Sequence, residues 1–193
     1  MSRLGPISLE DMNDAQRAVF DGITSGPRAK GDPAEMLNEE GALRGPFNAM
    51  LRSPEIGDLV QQLGGRLRYH SEIPDDLREL AILVCGRRHR ANFEWYAHVK
   101  IARKVGLPEA VIDQIMEEVV PDQPNYATVY RFVFELQTSK RVDDALYRDA
   151  IALLGEKGVV ELVFLAGYYA TVSHILNAFE VGLPPGEPLP FPD

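Results

Sequence analysis

Apolar residues recur at helical spacing along most of this chain. Met12, Ala15, Val19, Phe20 and Ile23 share one face of a first helix, which Ser8 opens with Glu10 and Asp11 in its first turn. From 25 to 46 the periodicity fails, and glycine, proline and charged residues dominate. A connection of that length serves as a lid, a binding loop or a disordered link. Ser53 and Pro54 start the next helix, and Ile56, Leu59, Val60, Leu63 and Leu67 mark the stripe it is expected to bury. Gly64 and Gly65 within it point to close helix packing. Pro74 starts a helix whose run Leu80–Cys85 reads as buried. A polar turn over Gly86–Asn92 leads to a helix over Phe93–Val105, stopped by Gly106 and Pro108. Pro108 opens another, with Val111, Ile112 and Ile115 inward. Helices over Asn125–Leu136, Val142–Leu154 and Val160–Val181 follow, the last with a kink expected near Gly167. No stretch keeps a period of two between turn signals, so the fold class is all-α.

The chain reads as one domain over 1–193, with an N-terminal helix and long loop (1–42), a core half (43–120), and a second half with a proline-rich, extended tail (121–193). HVKIARKVGLP (98–108) is echoed by HILNAFEVGLP (174–184), each with a histidine eight residues ahead of Gly-Leu-Pro. Glu161 is a loose counterpart of Glu79, and Gly167 and Ala170 stand where the first copy has Ala91 and Glu94. Two related helical halves about a pseudo-twofold are one reading of this echo; a shared type of helix stop is the other.

Composition narrows the function. The net charge of −9 argues against nucleic acid, whose phosphates demand clustered lysine and arginine. The single cysteine, Cys85, excludes an intrachain disulfide and permits a reducing compartment. No apolar run approaches the roughly 18–20 residues that span a bilayer, and no basic, apolar leader is seen. A cytoplasmic protein without membrane partners is the expectation. The histidines His70, His89, His98 and His174 have no ligand spacing, and no phosphate-binding glycine motif occurs, so neither metal nor cofactor is expected.

The chemistry gathers between residues 79 and 98. The turn centres near 88–89, with Glu79 and His98 about ten residues to either side. At roughly 1.5 Å rise per residue they lie at one height if the two helices pack antiparallel. Glu94 and His98 are four apart and share a helix face. An imidazole between carboxylates suits general acid–base work. Glu79 lies near the edge of an apolar face, where desolvation is expected to raise its pKa. The ordinary alternative is a half-buried histidine paired with a neighbouring acid.

The stretch ELAILVCGRRHRANFEWYAHVKIARKVGLP resembles the carboxymuconolactone decarboxylase family of the alkylhydroperoxidase-D-like superfamily. The peroxidase branch carries a Glu, then Cys-x-x-Cys, then a His four residues on. Glu79 and His98 match the Glu and the His, while Ala91 and Glu94 occupy the two cysteine positions. Glu94-Trp95-x-x-His98, with GPFNAMLRSPEIGDLVQQLGGRLRY upstream, looks like the decarboxylase branch. The resemblance implies an alkylhydroperoxidase-D-like helical bundle, a homo-oligomer (trimer or hexamer), and a cofactor-independent lyase of aromatic catabolism acting on a small carboxylated lactone or related enolisable acid. His98, Glu79 and Glu94 are the expected catalytic residues. Trp95, Asn48, Phe47 and Arg87 are candidates to bind the anionic substrate; core packing for Trp95, a turn cap for Asn48 and a solvated helix end for Arg87 are the plain alternatives. The chain extends beyond the compact decarboxylase pattern at both ends. A thiol peroxidase would need a reactive Cys85, which sits in an apolar run. A non-catalytic oligomeric scaffold is the remaining alternative.

Overall fold

A computed structural model of the chain describes residues 2–26, 28 and 36–192. Its helices are α1 (Asp14–Ser25), α2 (Pro46–Met50), α3 (Pro54–Tyr69), α4 (Asp75–Arg88), α5 (Asn92–Lys104), α6 (Glu109–Met116), α7 (Pro124–Thr138) and α8 (Asp144–Ala178). Among the described residues the only β pairing is one antiparallel bridge between Leu37 and Leu43. The all-α expectation holds. Of the long connection expected over 25–46, Pro27 and residues 29–35 lie outside the described residues, whereas 38–42 form a tight turn in which the Asn38 side chain accepts from the Glu40 and Ala42 amides.

The fold is built around α4. Leu77 through Gly86 are all buried, and α5, α6, α7 and α8 pack against it. A helix buried on every side needs apolar residues on every side, and that is why Leu80–Cys85 is an unbroken apolar run. The turn to α5 is shorter than expected, since α4 continues to Arg88 and α5 starts at Asn92.

Three expectations are corrected. The first helix begins at Asp14, not at Ser8, because Asn13 and Gln16 form a reciprocal capping box; Ser8 instead closes a separate turn onto Asp11. The kink expected near Gly167 is absent and Gly167 is helical; α8 instead breaks at Gly155, with φ of 70°, just past the expected helix end at Leu154. Only part of the stripe expected on α3 is buried: Leu67 is in the core and Val60 packs against it. Gly57, Gln61, Gly64 and Leu67 are buried, whereas Ile56, Leu59 and Leu63 are 63, 69 and 43% exposed. Close backbone approach decides this: a Cβ on Gly57 would overlap the Met50 backbone, and one on Gly64 would overlap the Tyr168 hydroxyl. The small residues of α3 therefore face inward.

Both ends of the described chain are tied to the bundle. The Arg3 amide donates to Phe179 O, and its guanidinium donates to Ala178 O and pairs with Glu180. Near the other end, the Phe191 amide donates to Asn92 Oδ1 and Arg90 donates to Pro192 O. α6 follows the first Gly-Leu-Pro and an irregular tail follows the second. No helix among the described residues is long and apolar enough to cross a membrane.

Candidate active site

The α4–α5 hairpin brings Glu79, Glu94 and His98 together. His98 Nδ1 lies 2.6 Å from Glu79 Oε2, and Nε2 lies 3.1 Å from Glu94 Oε1. All three residues are buried. The contact to Glu79 is a well-formed hydrogen bond. The contact to Glu94 is off the N–H line: Oε1 is sealed from solvent without an aligned donor. Glu94 Oε2 accepts no hydrogen bond within the described structure and is not one of the sealed polar atoms.

Burial opposes a charged imidazole, but the charges of Glu79 and Glu94, together with the hydrogen bond to Glu79, override it and lift His98 to about 9. His98 is therefore imidazolium at neutral pH. Glu79 runs opposite to its sequence expectation. Burial pushes its carboxyl up, yet the His98 charge, the His98 hydrogen bond and the nearby Arg68 and Arg78 hold it below the ordinary carboxylate range. The imidazolium 2.6 Å away outweighs desolvation.

Other elements complete the surroundings. Tyr169 of α8 meets the His98 ring edge-on at 5.2 Å and Tyr168 at 5.1 Å. Burial pushes both phenols up, Tyr168 to about 12. Arg68, at the end of α3, keeps its charge against burial because Tyr169, Glu79 and Glu94 lie near it. The buried Arg28 donates to Gln61 O at 2.9 Å and lies over the Phe47 ring at 5.4 Å. Sequence reasoning missed Arg68, Tyr168 and Tyr169. The adjacent tyrosines in the apolar run of α8 were the visible signal.

The candidate binding residues are dispersed. Trp95 is buried edge-on against Phe191 at 5.5 Å, under the tail. Asn48 donates to Gly5 O and Leu4 O, fastening the N-terminal segment. It also lines a cleft of about 210 Å³ with Phe93, Arg44 and Leu183, to which Glu79, Glu94 and His98 do not contribute. Phe47 is half-buried beneath Arg28. Arg87 donates to Met116 O at 2.6 Å and pairs with Glu118, which also holds Arg88. Cys85 is fully buried, burial pushes its thiol well up, and its nearest polar partners are Ala166 O and Gln137. Among the described residues no cluster of histidine, cysteine and acidic side chains has the arrangement of a metal site.

Residues 54–128 match the Carboxymuconolactone decarboxylase family. The matched segment runs from α3 into the start of α7 and holds Glu79, Glu94 and His98. No curated protein matches the chain in sequence. In three dimensions it is similar to the debrominase Bmp8. The apo structure superposes with a TM-score of 0.70 at 14% identity, covering 93% of this chain and 91% of Bmp8. A cysteine-to-alanine Bmp8 variant in complex with 2,3,4-tribromopyrrole gives a TM-score of 0.71 at 14% identity, covering 96% and 95%. At that identity the likeness speaks for the fold.

Proposed function

We propose that the chain is a cofactor-independent lyase of the carboxymuconolactone decarboxylase type, acting on a small carboxylated lactone or a related enolisable acid. The observation that carries this reading is the buried Glu79–His98–Glu94 relay inside the family segment. In such a reaction the bond to the departing carboxylate breaks, CO2 leaves, and the electron pair passes into the conjugated lactone carbonyl as a dienolate. One proton must then reach carbon. Both ring nitrogens of His98 are taken by carboxylates, so His98 stores the proton and Glu94 is the outer group that delivers it. Glu79 fixes the imidazole and balances its charge. Solvent restores the proton afterwards. Arg68 and the tyrosines near the relay supply positive charge and hydrogen-bond donors for an anionic substrate. This chemistry asks for no metal or organic cofactor.

Thiol chemistry is disfavoured for this chain. Bmp8 is a debrominase studied as a cysteine variant, whereas the single thiol here is sealed in the core. We also propose that the protein is a homo-oligomer, a trimer or hexamer by resemblance, working in the cytoplasm with no nucleic-acid or membrane partner.

The test is CO2 release from 4-carboxymuconolactone and a panel of carboxylated butenolides, followed by ultraviolet absorbance. Wild type is expected to turn over at least one of them, and Glu94→Gln and His98→Gln to fall by about 10²–10⁴-fold. No turnover across the panel would leave a scaffold without this chemistry. Undiminished rates in both variants would remove the relay from the mechanism.

A further inference from the structure

Helix α3 carries a seam that the monomer does not use. Ile56, Leu59 and Leu63 recur at the three- and four-residue steps of a coiled-coil seam, and Arg66 extends it. These apolar residues face outward, because Gly57, Gly64 and Gln61 are taken up by the bundle. The apolar surface continues onto α8, where Val160, Val163 and Phe164 are 55, 45 and 58% exposed. Between the two helices runs a groove of about 260 Å³, lined by Val60, Leu63, Val163, Phe164 and Tyr168 among others. Six large apolar side chains gathered on one face are the mark of an association surface.

The charges along α3 select the occupant. Glu55 lies in its first turn and Arg66 in its last, both exposed, and neither has an ion-pair partner among the described residues. They fall on the same edge of the seam, about 16 Å apart along the axis. An identical helix laid antiparallel puts its Arg66 beside this Glu55 and its Glu55 beside this Arg66. The midpoint of the two charges falls between Leu59 and Leu63, so the charge pairs and the apolar seam share one centre. An anionic lipid surface would instead meet the uncompensated Glu55 and Asp58.

We propose that α3 seats on α3 of a second copy, antiparallel about a twofold axis between Leu59 and Leu63, with reciprocal Glu55–Arg66 pairs and with the flanking α8 apolar residues covered in the same contact. The contact is isologous: the same patch serves both chains. It yields a dimer, or a hexamer when combined with a threefold axis, but not a bare trimer. Tyr168 lies in the groove this contact covers, next to the tyrosine that meets His98. Association would therefore close the α3–α8 side of the candidate site.

This rests on the self-association proposed above and not on the lyase chemistry. The experiment measures mass by light scattering across a dilution series, with helical content checked by circular dichroism. Wild type is expected to show an even-numbered assembly. Leu59→Glu is expected to weaken it by at least ~100-fold in Kd, as loss of a central apolar anchor does. Glu55→Arg and Arg66→Glu are each expected to weaken it by roughly 10-fold, and the double swap to restore it to within about 3-fold. A monomeric wild type, with or without binding to phosphatidylcholine vesicles, overturns both the self-association and the seam. An oligomer whose mass is unchanged in folded Leu59→Glu overturns the seam alone. Loss of mass in Leu59→Glu without rescue by the double swap overturns the antiparallel pairing.

Discussion

Replacing His98 by glutamine tests the electrostatics of the buried relay independently of any substrate. Lifting the imidazole from 6.5 to about 9 corresponds to about 3 kcal/mol of preference for the charged ring in the fold. Because the folded value is raised, that stabilisation is complete below about 6.5 and fades as pH climbs through about 9. Glu79 sets the acid limit. Its folded value is depressed, so its share is present above its ordinary 4.5 and lost as pH falls through the lower folded value. The two shifts describe one pairing and are not summed. In His98→Gln the Glu79 and Glu94 carboxylates keep their burial and lose the cation between them, a loss of about 3–5 kcal/mol near neutral pH. The deficit should shrink in mild acid, where one carboxylate takes a proton. Urea unfolding followed by circular dichroism, at about pH 5.5, 7 and 9.5, gives both curves. Wild-type stability that stays flat from pH 6.5 to about 9.5, or a variant within about 1 kcal/mol of wild type at neutral pH, would refute a charged His98 held by the Glu79 carboxylate.

Two further outcomes follow from the packing. Native protein should leave Cys85 unreactive toward a disulfide reagent near neutral pH and release one thiol in urea, since the side chain is fully buried and its thiolate disfavoured; prompt reaction of the folded protein would reopen thiol chemistry. Gly64→Ala should cost about 1–3 kcal/mol by urea unfolding, because its methyl must displace the Tyr168 ring from α3; a neutral effect would mean that α3 and α8 are not in close contact there.

The α4–α5 hairpin was legible because each of its determinants is local: the apolar run, the polar turn, the Gly106–Pro108 stop and the four-residue step from Glu94 to His98. The start of α1 was misread: Asn13 and Gln16 have capping-box spacing, but Ser8 offered a competing cap and was preferred. The orientation of α3 was not legible. Hydrophobicity favours burying Ile56, Leu59 and Leu63, and only the contacts of Gly57 with Met50 and of Gly64 with Tyr168 reverse the preference. The Glu79 pKa direction failed for a similar reason. Burial was readable from neighbouring apolar residues, but the 2.6 Å imidazolium that outweighs it is a tertiary contact. Arg68, Tyr168 and Tyr169 reach the relay from α3 and α8, and no spacing rule within one helix connects them to it.

The fastening of residues 2 and 3 onto the end of α8 has a consequence for how the protein is made. Arg3 bonds to Ala178, Phe179 and Glu180, and Ser2 Oγ donates to Phe179 O, contacts that span 175–177 positions of sequence. A ribosome releases residues in order, so this segment must wait through synthesis of nearly the whole helical body before its acceptors exist. Closure is then among the last native contacts to form, and a chain stalled before α8 leaves Ser2 and Arg3 without their seat.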